Sequence, residues 1–325
     1  MKWKRTARVL SGSFAMKQDS GGMPTVVYEV ESEFVAGARL SGSPAGVRRM
    51  TRAGLSAGLL QPSPTQPNLS DTREVGRCLG KLRETLGNGG RWGLLIPDAA
   101  ARVNILRFET LPAKSAEVES LLRWRIRESL GFAPGEARLS YQVTHREAES
   151  VEMLIVAVRD SVLAQYEAAL EPHQRTSASL ILPVTLPLLA LLPDAEPQGQ
   201  LLTHVYSGCV THTVVEGNRL RFWRTRLLAQ GQPGSEVEEV LSEAARAVAS
   251  ARDRLGIHVV RAWHCLRTED REALSQGLSR VLGMQAESLP PCAQLDAAPG
   301  AEEEALSLPF GAPLGAVIAS HGAAS

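Results

Sequence analysis

One pattern constrains this fold more than any other, and it occurs twice. In Leu201–Phe222, LLTHVYSGCVTHTVVEGNRLRF, two apolar, β-branched runs flank a Ser207-Gly208 break. Glu216-Gly217-Asn218 then turns the chain into the alternating run Arg219–Trp223. Gly and Asn tolerate positive φ, so Gly217-Asn218 suits a tight turn between antiparallel strands. Near the N-terminus, Val26–Ser32 (VVYEVES) leads into Phe34–Leu40 (FVAGARL), and Gly42-Ser43-Pro44 turns into Gly46–Thr51. Each copy reads as a β-meander followed by helix. We expect them to open two related lobes, and 325 residues are too many for one ordinary core.

Composition removes several function classes. Lys+Arg and Asp+Glu are 35 each, so no global basic footprint for nucleic acid exists, and 5% aromatics give few base-stacking platforms. Cys78, Cys209, Cys265 and Cys292 lack the spacing of a metal or redox motif and read as reduced, buried thiols. MKWKRTARVLSGSFAMKQ is basic but has no apolar core like that of a signal peptide. No run reaches the ~20 apolar residues of a membrane helix; the longest candidate, Leu180–Leu192, contains Pro183, Thr185 and Pro187. A soluble protein is expected.

Between the meanders the chain alternates strand and helix. Val75, Leu79, Leu82 and Leu86 recur at helical spacing behind a Ser70 or Asp71 cap, after the Pro-rich loop Gln61–Asn68. Trp92–Ile96 reads as a strand, and Pro97–Ala100 turns into Arg102–Phe108. Ser115 opens a helix to about Leu130 whose Val118, Leu121, Leu122 and Ile126 are apolar, with Arg123, Trp124, Arg125 and Arg127 on the remaining surface. Leu139–Thr144 and Val151–Val158 read as paired strands, and Asp160 starts a helix to about Leu170. Phe108–Glu171 is thus expected to be a self-contained β/α insertion. After the second meander, Val237, Val240, Leu241, Ala244, Val248, Ala251 and Leu255 line a long helix, then strand, helix and short strand follow.

At this level of order the chain resembles the actin-like type IV pilus assembly proteins of the PilM family, relatives of the cell-division protein FtsA. The resemblance runs over about 25–319. It rests on LPAKSAEVESLLRWRIRESLGFAPGEARLSYQV (Leu111–Val143), MLIVAVRDSVLAQYEAALE (Met153–Glu171) and PFGAPLGAVIAS (Pro309–Ser320). It implies an α/β, two-lobed actin-like (ribonuclease-H-like) fold with an inserted β/α subdomain in the first lobe. The divisions expected are a disordered basic tail at 1–22, a first lobe at 23–107 and 173–198, the insertion at 108–172, a second lobe at 199–295, an acidic loop at 296–308, and a C-terminal helix at 309–325 returning to the core. It also implies a cytoplasmic protein, peripheral to the inner membrane, that binds the N-terminal tail of a PilN-like membrane protein. Pilus motor ATPases are further possible partners, and the family can bind ATP.

In the family, hairpin tips of both lobes converge on the phosphates, with a first loop resembling Asp-x-Gly-Ser-x-x-x-Lys. Here that stretch is Glu29-Val30-Glu31-Ser32-Glu33-Phe34-Val35-Ala36: Glu29 can mimic the Asp, but Glu31 replaces Gly and Ala36 replaces Lys. At about 4 Å and an effective dielectric constant of ~20, each carboxylate set against a phosphate charge costs roughly 4 kcal/mol. The second loop wants Asp-x-Gly-x-x-x-Thr, yet no Asp occurs between Leu201 and Phe222. A Gly-rich adenosine loop is replaced by Ala262-Trp263-His264-Cys265-Leu266. Glu29, Glu31, Ser32, Ser207 and Gly208 are therefore expected to be vestiges of phosphate loops. No catalytic residue, no metal and no required cofactor is expected, with ATP and Mg²⁺ as the alternative. His204, Cys209 and His212 make a poor metal set across the Ser207-Gly208 break, and Asp98, just after a strand, is expected to cap a turn. Arg102, Arg107, Arg123 and Arg127 lie where the first lobe meets the insertion; in the family that groove receives the partner peptide. The expected function is a nucleotide-independent adaptor, a pseudo-ATPase. The alternatives are an ATP-binding actin-like switch and, against the lack of a membrane span, the cytoplasmic domain of a type II secretion L-type protein.

Overall fold

The computed structural model describes residues 24–42, 45–87, 91–170, 180–192, 197–229, 235–266, 268 and 270–289. The expected basic tail, the acidic loop and the C-terminal helix all lie outside these residues.

Two five-stranded sheets carry the fold. The first contains β1 (Val26–Val30), β2 (Phe34–Gly42), β3 (Ala45–Gly54), β4 (Trp92–Ile96) and β8 (Leu180–Pro183), in the order β3-β2-β1-β4-β8. The second contains β9 (Gly199–Tyr206), β10 (Cys209–Glu216), β11 (Arg219–Leu227), β12 (Val259–Leu266) and β13 (Ala286–Ser288), in the order β11-β10-β9-β12-β13. The two orders are the same. Each sheet begins as an antiparallel meander and continues through parallel strands, as β1 with β4 and β9 with β12. The repeated sequence pattern thus builds two lobes of one topology, the ribonuclease-H-like arrangement.

Helices fill the crossovers. α1 (Thr72–Leu86) is capped by Asp71, whose carboxylate accepts from the N–H groups of Arg73 and Glu74, and Val75, Leu79, Leu82 and Leu86 are buried as their spacing requires. α2 (Ser115–Leu130) ends on Gly131, at φ 75°. Its N-cap is Lys114 and not Ser115, whose hydroxyl lies 3.3 Å from that of Tyr141. α3 (Asp160–Leu170), α4 (Ser235–Leu255) and α5 (Arg271–Leu282) complete the set.

A third sheet, ordered β5-β7-β6, joins β5 (Arg102–Phe108), β6 (Ala137–Glu147) and β7 (Ser150–Arg159). It differs from the self-contained insertion expected. Along β7, Val151, Met153, Ile155 and Ala157 pack on α2, whereas Leu154, Val156 and Val158 join the main core shared with both lobes. Glu152 apart, VEMLIVAV is apolar on both faces, as a strand covered on both sides requires. The small sheet starts at 102, ahead of the boundary at 108. α3 also turns its buried side, Val162, Leu163, Tyr166, Ala169 and Leu170, into the main core beside α1. Helical periodicity shows that a helix has an apolar face; it does not say which body that face meets.

The Pro-rich loop fixes this junction. Asn68 N–H donates to Gln165 of α3 (2.7 Å), Tyr166 donates to Asn68 Oδ1 (3.0 Å), and Arg159 donates to the Thr65 carbonyl (2.6 Å).

Candidate functional site

The two meander tips meet across the lobes. The β1–β2 tip is Glu31-Ser32-Glu33, and the β9–β10 tip is Ser207-Gly208. The two-residue tip demands left-handed backbone at both positions: Gly208 takes φ 67°, and Ser207 takes φ 46° despite its side chain. Ser207 Oγ accepts the Ser32 N–H (3.3 Å) and donates to Glu31 Oε2 through a short hydrogen bond, across 176 residues of sequence. Glu29 and Glu31 are both buried. Four of the five residues expected as phosphate-loop remnants, Glu31, Ser32, Ser207 and Gly208, are therefore at the tips, and Glu29 lies two residues before Glu31, within β1.

Behind the tips lies a buried polar network that joins the lobes, centred on Asp98. This residue is fully buried in the 3-10 turn Asp98–Ala100 that follows β4. Its backbone carbonyl closes the turn to Ala101, but its carboxylate reaches much further than the turn-capping expected. Oδ1 accepts the Thr185 N–H (3.0 Å), and Oδ2 accepts the hydroxyls of Thr211 (2.6 Å) and, by a short bond, Thr185. The Asp98 N–H donates to Tyr206 Oη (2.6 Å). Thr185 follows β8 in the first lobe, whereas Thr211 and Tyr206 stand on β10 and β9 in the second.

Proton counting orients the network. A hydroxyl has one proton, and with Asp98 ionised Thr185 and Thr211 each give theirs to its carboxylate. His204 Nδ1, 2.6 Å from Thr185 Oγ1, must then carry a hydrogen and donate it. Thr225 must donate to Thr211 Oγ1 (3.0 Å), with Trp223 Nε1 donating to Thr225 behind it (3.0 Å). Two chains of donors thus converge on one carboxylate. Burial pushes Asp98 up to about 6, and the hydrogen bonds from Thr185 and Thr211 hold it from rising further. Burial likewise raises the Tyr206 phenol, with the Asp98 charge adding to it, and raises the Cys209 thiol.

The histidines separate. Thr211 pairs with His204 across the ladder, while His212 pairs with Thr203, so the rings lie on opposite faces of the sheet. His212 Nδ1 meets Thr203 Oγ1 (3.1 Å), and burial pushes the ring down to about 4. His204, Cys209 and His212 do not converge, and among the described residues no group of three His, Cys, Asp or Glu side chains could hold a metal ion. On the outer face Glu243 of α4 sits under Arg224 Nε (2.8 Å), Arg226 (3.3 Å) and Arg246 (2.8 Å).

The four groove arginines are not one cluster. Arg123 is held within the insertion by the carbonyls of Pro134 (2.5 Å) and Ala137 (2.8 Å) and by Glu119 (2.8 Å). Arg127 lies over the Trp124 ring (4.7 Å) and bonds the Trp124 carbonyl. Arg107 pairs with Glu147 (3.3 Å) beside the ion pair that Arg219 of β11 makes with Glu152 of β7 (3.1 Å), so it faces the second lobe. Arg102, at the start of β5, is half-buried; its Nε has no hydrogen-bond partner among the described residues, and burial lowers its guanidinium from the usual arginine value. The sequence reading missed Thr185, Thr211, Tyr206 and Glu243. An isolated Thr or Tyr in an apolar run carries no local signal that a carboxylate from another lobe will meet it.

The sequence matches no protein-family profile and no curated protein. Solved structures share the fold. A chain of the PilM–PilN type IV pilus biogenesis complex superposes with a TM-score of 0.74 at 16% identity, covering 93% of this chain and 99% of that one. A Bacteroides thetaiotaomicron protein of actin-like ATPase fold and unknown function gives 0.54 at 10% identity, over 83% and 91%. The cytoplasmic domain of EpsL, an inner-membrane component of the Vibrio cholerae type II secretion system, gives 0.45 at 10% identity over 79% and 93%, too loose for an argument. The class is a two-lobed actin-like fold. Within it, the fold matches that of a chain of the PilM–PilN complex over nearly the whole of both chains.

Proposed function

We propose that this chain is an adaptor of a pilus or related secretion assembly that works without hydrolysing nucleotide, and that it holds the N-terminal tail of a PilN-like inner-membrane protein from the cytoplasmic side. The observation that carries this reading is the contact between the meander tips. In an actin-like ATPase the phosphates lie between these tips. Here the Ser207 hydroxyl occupies that space, taking the Ser32 N–H that a phosphate oxygen would accept and turning to Glu31. Glu31 adds negative charge where negative charge would arrive. The Asp98 network, with core residues of both lobes in one cluster, opposes the lobe opening that nucleotide exchange would need.

The tail-binding groove fits the junction of the first lobe and the small sheet, and Arg102 is its best candidate contact because its Nε is buried and unspent. Arg123 is a structural tie of the insertion, and Arg107 and Arg127 are occupied by Glu147 and by Trp124 and Glu128. No helix among the described residues is long and apolar enough to cross a membrane; in this reading the partner supplies the membrane association.

Two measurements test this. Mg-ATP should leave the melting temperature unchanged; a rise of several degrees returns the ATP-binding switch as the better reading. Calorimetry should show a tail peptide of the neighbouring membrane protein binding the full chain. R102A should weaken that binding roughly tenfold, as loss of a charge-assisted hydrogen bond does, while leaving the fold intact. A tail that does not bind removes the adaptor reading.

A further inference from the structure

β11 is an edge strand: it pairs with β10 on one side, and no strand pairs with the other among the described residues. Its ladder identifies the free groups. The Leu228 N–H donates to the Gly208 carbonyl, so 208 and 228 form a hydrogen-bonded pair. Such pairs alternate along an antiparallel ladder. In the register Val210↔Arg226 and His212↔Arg224, residues 224 and 226 also spend their backbone groups on β10. Those of Trp223, Thr225 and Leu227 point outwards, toward the open edge. The first half of β11 lies against the small sheet, where Arg219 and Arg221 meet Glu152. The second half is open: Arg226 is exposed, and Leu227 is 52% exposed.

The side chains beside this edge are strongly cationic. Arg224 and Arg226 project to one face, about 7 Å apart as alternate residues of a strand, and Arg246 of α4 joins them at Glu243. Glu243 is buried and holds all three guanidiniums in place. One carboxylate against three guanidiniums leaves two positive charges in excess, and each Arg retains most of its five N–H donors. The neighbouring acid Glu239 is engaged by the Ala229 N–H (3.0 Å). Charged residues also protect edge strands from unwanted pairing, but a screen of that kind needs no buried carboxylate beneath it to orient three arginines.

We infer that the open half of β11 is a docking edge for an extended acidic segment of a partner protein, which adds as a strand to Trp223–Leu227 and sets alternate carboxylates against Arg224, Arg226 and Arg246. Strand addition supplies affinity through main-chain hydrogen bonds and specificity through alternate side chains. The matching pattern is acidic–apolar–acidic: two acids face the arginines, and the apolar residue between them lies on the other face, with Leu227. Guanidinium forks fit carboxylates in paired hydrogen bonds. The site lies on the second lobe, separate from the groove proposed for the membrane-protein tail, and does not depend on that reading.

The test uses the full chain and a fluorescent octapeptide with a central Glu-Leu-Glu, followed by anisotropy at low salt. Saturable binding is expected, lost when the peptide amides that would meet β11 are N-methylated and when the acids are replaced by Gln. R226Q/R246Q, which keeps the Arg224–Glu243 contact and so the fold, should weaken binding roughly tenfold or more, with an unchanged melting temperature; R224E should abolish it. Absence of saturable binding overturns the proposal. So does binding that survives N-methylation, which leaves charge attraction alone, or equal retention on vesicles carrying anionic lipid, which makes the arginines a membrane-facing patch.

Discussion

The two faces of the second lobe's sheet solve one problem in opposite ways. Each holds a carboxylate in a buried place. On the inner face Asp98 is solvated by hydroxyls and an N–H, with no cation in contact among the described residues. On the outer face Glu243 is met by three guanidiniums. Burial acts to raise both. For Asp98 burial prevails, and the carboxyl rises to about 6. For Glu243 the charges of Arg224 and Arg226 prevail and hold it below the usual carboxylate range. Hydroxyls stabilise an ion only by orientation, whereas guanidiniums bring charge. The inner face thus welds two lobes with directional bonds, and the outer face leaves positive charge facing water.

The largest expected effect comes from breaking the inner face. Asp98→Ala strands the Thr185 and Thr211 hydroxyls and the Thr185 N–H in a dry interface, at a cost of about 3 to 5 kcal/mol. Urea denaturation measures it, and a loss under about 1 kcal/mol would mean that the network contributes no interlobe stability.

The pH dependence separates the faces by sign. The Asp98 carboxyl is raised, so the folded state holds its proton more tightly than the unfolded chain does. Its contribution is complete below about 4 and disappears as the pH rises through about 6, a change of roughly 3 kcal/mol. His212 is lowered to about 4, so its contribution is complete above the ordinary histidine value of 6.5 and disappears as the pH falls towards 4. The two oppose each other in the wild type. Stability curves between pH 4 and 7 should steepen toward acid loss in Asp98→Asn and flatten on that side in His212→Gln; identical slopes would erase the distinction.

A smaller effect is expected on the outer face. Glu243→Gln keeps the shape but removes the charge, at about 1 to 2 kcal/mol, because the guanidiniums still reach water. Added salt should recover part of this loss by screening the arginines from one another; a salt-independent loss would make Glu243 a packing residue. The smallest is Ser207→Ala, which removes the tip contact to Glu31 and Ser32 and should cost about 1 kcal/mol, read as a shift in melting temperature. If it also confers Mg-ATP binding, the hydroxyl is what keeps the space between the tips closed.

Much of the fold was legible in the chain. β-branched runs around Ser207-Gly208 and Gly217-Asn218 specify the second meander, and the spacing of Val75, Leu79, Leu82 and Leu86 specifies α1, as observed. The run VEMLIVAV predicts a strand, as observed, but that its two faces meet different cores was not read from it. That α3 packs beside α1 was not legible, because an apolar helix face is equally satisfied by either neighbouring body. The residues of the two tips were legible in the chain; that Ser207 and Glu31 touch, and that Asp98 gathers threonines from both lobes, was not.

The sequence by itself determined the local elements and the repeat of one topology, because strand alternation, helix spacing and turn chemistry act over a few residues. Tertiary structure alone decided the closure. Ser207 meets Glu31 across 176 residues and Thr211 meets Asp98 across 113. Contacts of that span exist only once two separately formed sheets have packed, and their energy comes from burying polar groups together where no water is left to replace a missing partner.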